Sequence, residues 1–403
     1  MPKICFYFQV HQPKRLRKYT FFDVGQNHHY EDEYKNGEIL RKVANKCYLP
    51  SNHLLLKLIK KYRGEFKVAF SLSGCVIEQF KQFSPETLDS FKVLSDTGCV
   101  EILNETYHHS LSATFSKNLF LEEVALHRSL IQTEFGQRST TFRNTELIYN
   151  NELASWVEGL GYKTILAEGA DKILHWRSPN YVYRPEGCHH LKLLLRNYPL
   201  SDDIAFRFGN RAWHEHPLTA NKFAHWVHAL NGSGDIINLF MDYETFGEHQ
   251  WDDSGIFSFL EALPGKILKH PDFEFCTPSE ASTQLNAVSA LDAPHFYSWA
   301  DTERDLTAWR GNDLQEDALH NIMSLEEKIN ALGNPALKKK FLSFLTSDHF
   351  YYMCTKWHSD GEVHKYFNPY NDPYEAYINF QNIIKDFSLV VEENIHPSSQ
   401  SVK

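Results

Sequence analysis

At 403 residues the chain is too long for one small core and has room for a large domain with a smaller companion. A formal net charge of −10, with no Lys/Arg-rich block, excludes the basic footprint that a nucleic-acid partner needs. The aromatic share of 14% and the 22 His suit a cleft where sugar faces lie on rings, although large cores also use Phe and Tyr.

In chain order, KICFYFQVHQP (3–13) predicts a strand with a polar tip, and SNHLLLKLIKKYRG (51–64) a helix capped by Ser51 and stopped by Gly64. KVAFSLSG (67–74) is a second strand. SPETLDSFKVLSDTG (84–98) is a helix with Ser84 as cap and Pro85 at its first position. CVEILNETYHH (99–109) is the third strand, followed by a helix over 118–136. TTFRNTELIY (140–149) holds the fourth strand and its exit loop, and 151–161 a helix. KTILAEGA (163–170) and LKLLLRNYPLS (191–201) are strands five and six. A helix over 221–232 leads to the seventh, DIINLFMDYE (235–244).

Near-continuous apolar strands alternating with helices mean a parallel sheet buried on both faces. Seven such units predict an α/β fold of the (β/α)7 barrel type over 1–285. An open doubly wound sheet is expected to carry a glycine-rich loop after strand 1, where this chain has HQPKRL. From 286 to 392 the pattern is helical with no strand between, predicting a C-terminal helical domain, and 393–403 reads as a disordered tail. The seven scattered Cys, several inside apolar runs, suit free buried thiols in a reducing compartment. With no leader-like N-terminus and no apolar run near the roughly 18 residues that span a bilayer, a cytoplasmic protein without a membrane partner is expected. The sequence leaves the oligomeric state open.

Barrel chemistry lies at the C-terminal strand ends. There the chain delivers His11, Gln12 and Pro13 after strand 1, then Glu105, Tyr107, His108 and His109 after strand 3, with Glu101 deeper on the same side. Arg143, Asn144 and Glu146 follow strand 4, Glu168 strand 5, and Asp242 and Glu244 strand 7, among aromatic rings. Any one of these acids could serve as a helix cap or ion-pair partner. Gathered on one rim they cost desolvation and mutual repulsion, which points to a ligand. Two carboxylates and aromatic walls are what glycoside hydrolysis needs. A metal set drawn from His11, His214, His216, Asp242 and Glu244 is an alternative, although no H-E-x-x-H run occurs. A serine hydrolase lacks its G-x-S-x-G elbow.

These residues also form a pattern. HQP after strand 1, GCVEI (98–102), a Glu after strand 4, and D-x-E followed by Phe, Gly and Trp after strand 7 resemble glycoside hydrolase family 57. WADTERDLTAWRGN (299–312) looks like that family's fifth region. The resemblance implies a seven-stranded barrel, a helical segment closing over the cleft, and retaining action on α-1,4-glucans or maltooligosaccharides, with no cofactor and no metal. Glu146 takes the place of the nucleophile and Asp242 that of the acid/base. His11, Glu101 and Glu244 are implied around the scissile bond, with Asp301 or Asp305 joining them and Phe246 and Trp251 as sugar platforms. Where many members carry Trp and Pro before the nucleophile, this chain has Arg143, Asn144 and Thr145, most like the α-amylase subgroup. Glucanotransfer on the same machinery, a metal-dependent deacetylase- or mannosidase-like barrel, and a non-catalytic glucan-binding relative are the alternatives.

Overall fold

The computed structural model describes residues 2–356 and 368–395, so the expected tail lies outside the described residues from 396 on. The chain divides into two compact units: Met1–Gln12, Gly37–Tyr107 and Phe120–Trp299 form the first, and Pro13–Asn36, His108–Leu119 and the residues from Ala300 form the second.

Among the described residues, seven parallel strands of three or more residues form the frame of the first unit: β1 (Lys3–Val10), β2 (Val68–Leu72), β3 (Val100–Ile102), β4 (Thr141–Arg143), β5 (Thr164–Glu168), β6 (Lys192–Arg196) and β7 (Ile236–Asp242), beside three two-residue strands. Ladder hydrogen bonds order them β3-β2-β1-β7 and β4-β5-β6. Asn104, just past β3, bridges Phe142 of β4. On the other side Asn238 of β7 donates its side-chain amide to the Leu195 carbonyl of β6 at 2.9 Å. These links carry the strand order round the whole set, with helices between successive strands, so the α/β barrel-type fold expected from the sequence is the one formed.

The strand pattern was readable because both faces are covered. All eight residues of β1 are buried. Phe6 and Phe8 go to one face, where they meet Phe275, Phe70, Tyr243 and Phe246. Cys5 and Tyr7 go to the other, into a core with Ala69, Leu103, Leu166, Leu194 and Phe240. All seven cysteines are free and buried.

Three local expectations change. The third strand is only Val100–Ile102, and the residues after it form the exit loop. The sixth ends at Arg196, because the Asn197 side chain accepts the Leu200 N–H and starts the helix Tyr198–Ala205, with Pro199 in its first turn. Ser51 is not a cap: the helix Leu49–Lys61 continues Glu33–Val43 through a π-helical turn at Ala44–Tyr48. The Ser51 hydroxyl donates instead to the Phe246 carbonyl at 3.3 Å.

That π turn sets the shape of the β7 exit. Gly247 has φ 110, and a Cβ there would stand 2.0 Å from the Lys46 carbonyl oxygen. Gly247→Ala should therefore cost about 2–4 kcal/mol. Thermal unfolding checks this, and an unchanged midpoint would mean that the loop adapts.

In the second unit the helix Pro373–Ile395 holds the segment Pro13–Asn36. Asp386, buried on that helix, accepts the Tyr30 hydroxyl at 2.6 Å, the His28 Nδ1 at 2.8 Å and the Gly25 N–H at 2.6 Å. Among the described residues no helix is long and apolar enough to cross a membrane.

Candidate active site

The last inward positions of the barrel strands are polar. The Tyr7 hydroxyl donates to Gln9 Oε1 at 2.6 Å, and the Gln9 amide donates to Glu105 Oε1 at 3.1 Å. Gln9 lies opposite Asp242 in the β1–β7 register. On β6 Arg196 donates to Glu168 of β5 at 3.1 Å and to the Phe240 carbonyl at 2.7 Å. One end of the barrel thus gathers acids from β3, β4, β5 and β7 with guanidiniums from β4 and β6.

Glu146 leaves β4 on a strained turn. It has φ 55 and Leu147 has φ 50, left-handed conformations that cost side-chain-bearing residues roughly 1–2 kcal/mol each. Neighbouring bonds hold the turn. The Asn144 amide donates to the Ile148 carbonyl at 3.0 Å, and Tyr149 and Tyr297 exchange backbone bonds at 2.9 and 3.0 Å. The Trp299 indole N–H then donates to Glu146 Oε2 at 2.7 Å, a charge-assisted contact. Two guanidiniums approach that same indole, Arg143 at 5.1 Å and Arg196 at 5.7 Å from the ring centre.

Asp242 ends β7 and begins the short 3-10 turn Tyr243–Thr245, which carries Glu244. Burial, and then the charge of Asp242, push the Glu244 carboxyl up to about 8, against the smaller pull of the Tyr48 and Gln12 hydrogen bonds. Both donors reach Oε1, the Gln12 amide at 3.3 Å and the Tyr48 hydroxyl in a short bond. Two acids one residue apart coexist here because one of them is neutral.

The folded chain therefore keeps a proton on Glu244 between about pH 4.5 and 8 that the unfolded chain has released. Its folded pKa is raised, so its contribution to stability is complete below that window and is lost as pH rises through it. Glu244→Gln should flatten the fall in urea midpoint between pH 5 and pH 8, by on the order of 1 kcal/mol or more. Parallel profiles for the two proteins would contradict the protonated assignment.

The other predicted residues divide. His11 Nδ1 is 2.6 Å from the Ser73 hydroxyl, at the exits of β1 and β2. Glu101 is not brought to the cluster. It pairs with Ala69, which pairs with Tyr7, one inward position before Gln9. Its carboxylate accepts the N–H and hydroxyl of Ser279, both at 2.9 Å, at the start of the helix Pro278–Gln284, as well as the Ser139 hydroxyl at 2.9 Å. Glu105, expected nearer the strand end, is the acid that reaches Gln9. Phe246 is corrected as a sugar platform: it is 0% exposed and sits edge-on to Phe8. Trp251 is 53% exposed, with the Lys46 ammonium 5.0 Å from its ring. It opens on a depression of about 680 Å³ beside Asn45, Asp252, Asp253 and Glu261. Asp305 belongs to the second unit, where it accepts the Thr307 N–H at 2.8 Å; Asp301, in that same unit, has φ 54.

The HEH run is not gathered with the strand-end acids: His214 is largely exposed and pairs with its own neighbour Glu215 at 3.6 Å. Among the described residues no group of three or more His, Cys, Asp or Glu is placed to hold a metal ion. Sequence reasoning missed Trp299 as a site residue, and also Tyr48 and Arg196. Trp299 did carry a signal, as the first residue of the W-A-D run.

Residues 5–294 match the family described as Glycosyl hydrolase family 57. A Methanocaldococcus jannaschii protein named "Putative alpha-amylase" is 44% identical, over 97% of this chain and 85% of that protein. Among solved structures, a branching enzyme of that family from Thermococcus kodakaraensis superposes with a TM-score of 0.72 at 12% identity, covering 100% of this chain and 92% of that one. The alpha-amylase AmyC from Thermotoga maritima gives 0.64 at 13% identity, covering 98% and 94%. At such identities the two structures speak to the fold.

Proposed function

The chain belongs to glycosyl hydrolase family 57, and from that premise we propose that it is a retaining hydrolase of α-1,4-glucans or maltooligosaccharides, of the α-amylase type. In this reading Glu146 attacks the anomeric carbon and forms a glycosyl ester as the glycosidic C–O bond breaks. Asp242 gives the departing oxygen the one proton that it and Glu244 hold between them. Asp242 then takes a proton from water, whose oxygen displaces Glu146 and releases the sugar with its starting configuration. The observation that carries the assignment is the setting of Glu146, whose carboxylate accepts an indole N–H beside two guanidiniums. Such surroundings favour an anion. The exposed ring of Trp251 supports a sugar platform there, and His11 at the β1 exit a contact to the bound sugar. Seven buried free thiols support a reducing, cytoplasmic setting.

Product analysis of the purified protein with maltoheptaose tests the reading. Shorter maltooligosaccharides are the expected result. Products longer than the substrate would reassign the protein as a glucanotransferase, and binding without turnover would make it a glucan-binding relative.

A further inference from the structure

Arg143 is the inward residue at the end of β4, 0% exposed. None of its three guanidinium nitrogens has a hydrogen-bond partner among the described residues. A buried guanidinium without acceptors is costly, and a scaffold with no use for it would carry an apolar side chain there. Its guanidinium lies over the face of Trp299, 5.1 Å from the ring centre. The same indole donates its N–H to Glu146 Oε2 at 2.7 Å.

We propose that Arg143 and Trp299 are positioning residues that act as one relay, in which the guanidinium polarises the indole and the indole N–H holds the Glu146 carboxylate charged and aimed. A cation on the π face draws electron density from the ring and makes the N–H a stronger donor. The positive charge also favours the carboxylate through space. Arg196 lies 5.7 Å from the same ring but is already engaged by Glu168, Asp202 and the Phe240 carbonyl, so Arg143 is the cation free to serve the indole. The relay also accounts for the departure before the nucleophile, where Arg143 stands three positions ahead of Glu146 and the tryptophan arrives from residue 299.

The other charged groups on the neighbouring strand ends are Glu105 past β3, Glu168 on β5, Arg196 on β6 with Asp202 beyond it, and Asp242 with neutral Glu244 at β7. The carboxylates among them oppose ionisation of Glu146, and the relay offsets them.

The inference rests on the nucleophile reading, and its test separates the two. Trp299→Phe keeps a ring and removes the N–H; Arg143→Met removes the cation at similar length. Trp299→Phe should lower kcat on maltoheptaose by about tenfold to a hundredfold and move the acid limb of the pH profile up by about one unit, with KM nearly unchanged. Arg143→Met should shift the limb in the same direction by less, and Arg143→Lys should restore part of it. The Glu146 carboxyl carbon, assigned by its loss in Glu146→Gln after selective 13C labelling of glutamate, should titrate at higher pH in Trp299→Phe than in wild type. That readout needs no substrate. If the Glu146 titration moves while wild type cleaves no α-glucan, the relay stands and the hydrolase reading fails. If wild type is active through Glu146 and the titration and acid limb stay put in both variants, the relay is wrong and Trp299 only packs.

Discussion

Glu146→Gln is expected to lower maltoheptaose cleavage by roughly a thousandfold or more while the unfolding midpoint stays close to that of wild type. The amide matches the carboxylate in size, and its oxygen can still accept the Trp299 N–H, so the strained turn at Glu146 and Leu147 keeps its support. What it loses is the charge and nucleophilicity that form the glycosyl ester. A shorter side chain sharpens the test. In Glu146→Ala the space left beside the anomeric carbon admits azide, which should restore turnover and yield a glycosyl azide of inverted configuration. Glu146→Gln retaining most of the wild-type rate would remove Glu146 from the chemistry. A Glu146→Ala variant that azide does not revive would argue against a covalent intermediate.

The place of Glu146 was legible in the sequence for a physical reason, and its support was not. Strands buried on both faces write themselves as apolar runs, and the barrel's directionality then says which end bears chemistry. That logic found the β4 exit with Glu146 and the β7 exit with Asp242 and Glu244. It put Glu101 deeper along β3 than Glu105, and the short strand and long exit loop do bring Glu105 to Gln9 and leave Glu101 serving Ser279, away from the scissile-bond place that the resemblance implied. It also misread Phe246, because a ring after a strand end looks the same in sequence whether it faces a cleft or closes over Phe8. Trp299 lies 153 residues from Glu146, in a stretch without periodic pattern, so no local rule connects the two. That Pro13–Asn36 belongs to the second unit was hidden for the same reason. Asp386 gathers Gly25, His28 and Tyr30 from more than 350 positions away.

Asp242→Asn tests the other half of the mechanism, and its effect should depend on the leaving group. General acid catalysis is worth roughly 10²–10⁴-fold, and it matters most when the departing oxygen is a poor leaving group, as in a glucan. Maltoheptaose cleavage by Asp242→Asn should fall within that range. An aryl maltoside leaves without protonation, so its first step should be nearly preserved, and the slow hydrolysis of the glycosyl ester should appear as a burst of phenol. Equal losses on both substrates would contradict a proton-donating Asp242. The substitution has a second consequence, because the Asp242 charge is the next largest cause after burial of the raised Glu244 carboxyl. Removing that charge should bring Glu244 down from about 8 without returning it to the ordinary range, since burial remains. The stability profile of Asp242→Asn should therefore decline over a narrower pH window than that of wild type. Were Glu244 to titrate unchanged in this variant, the two carboxyls would not be sharing a field, and the pairing of a charged and a neutral acid at the β7 exit would need another cause.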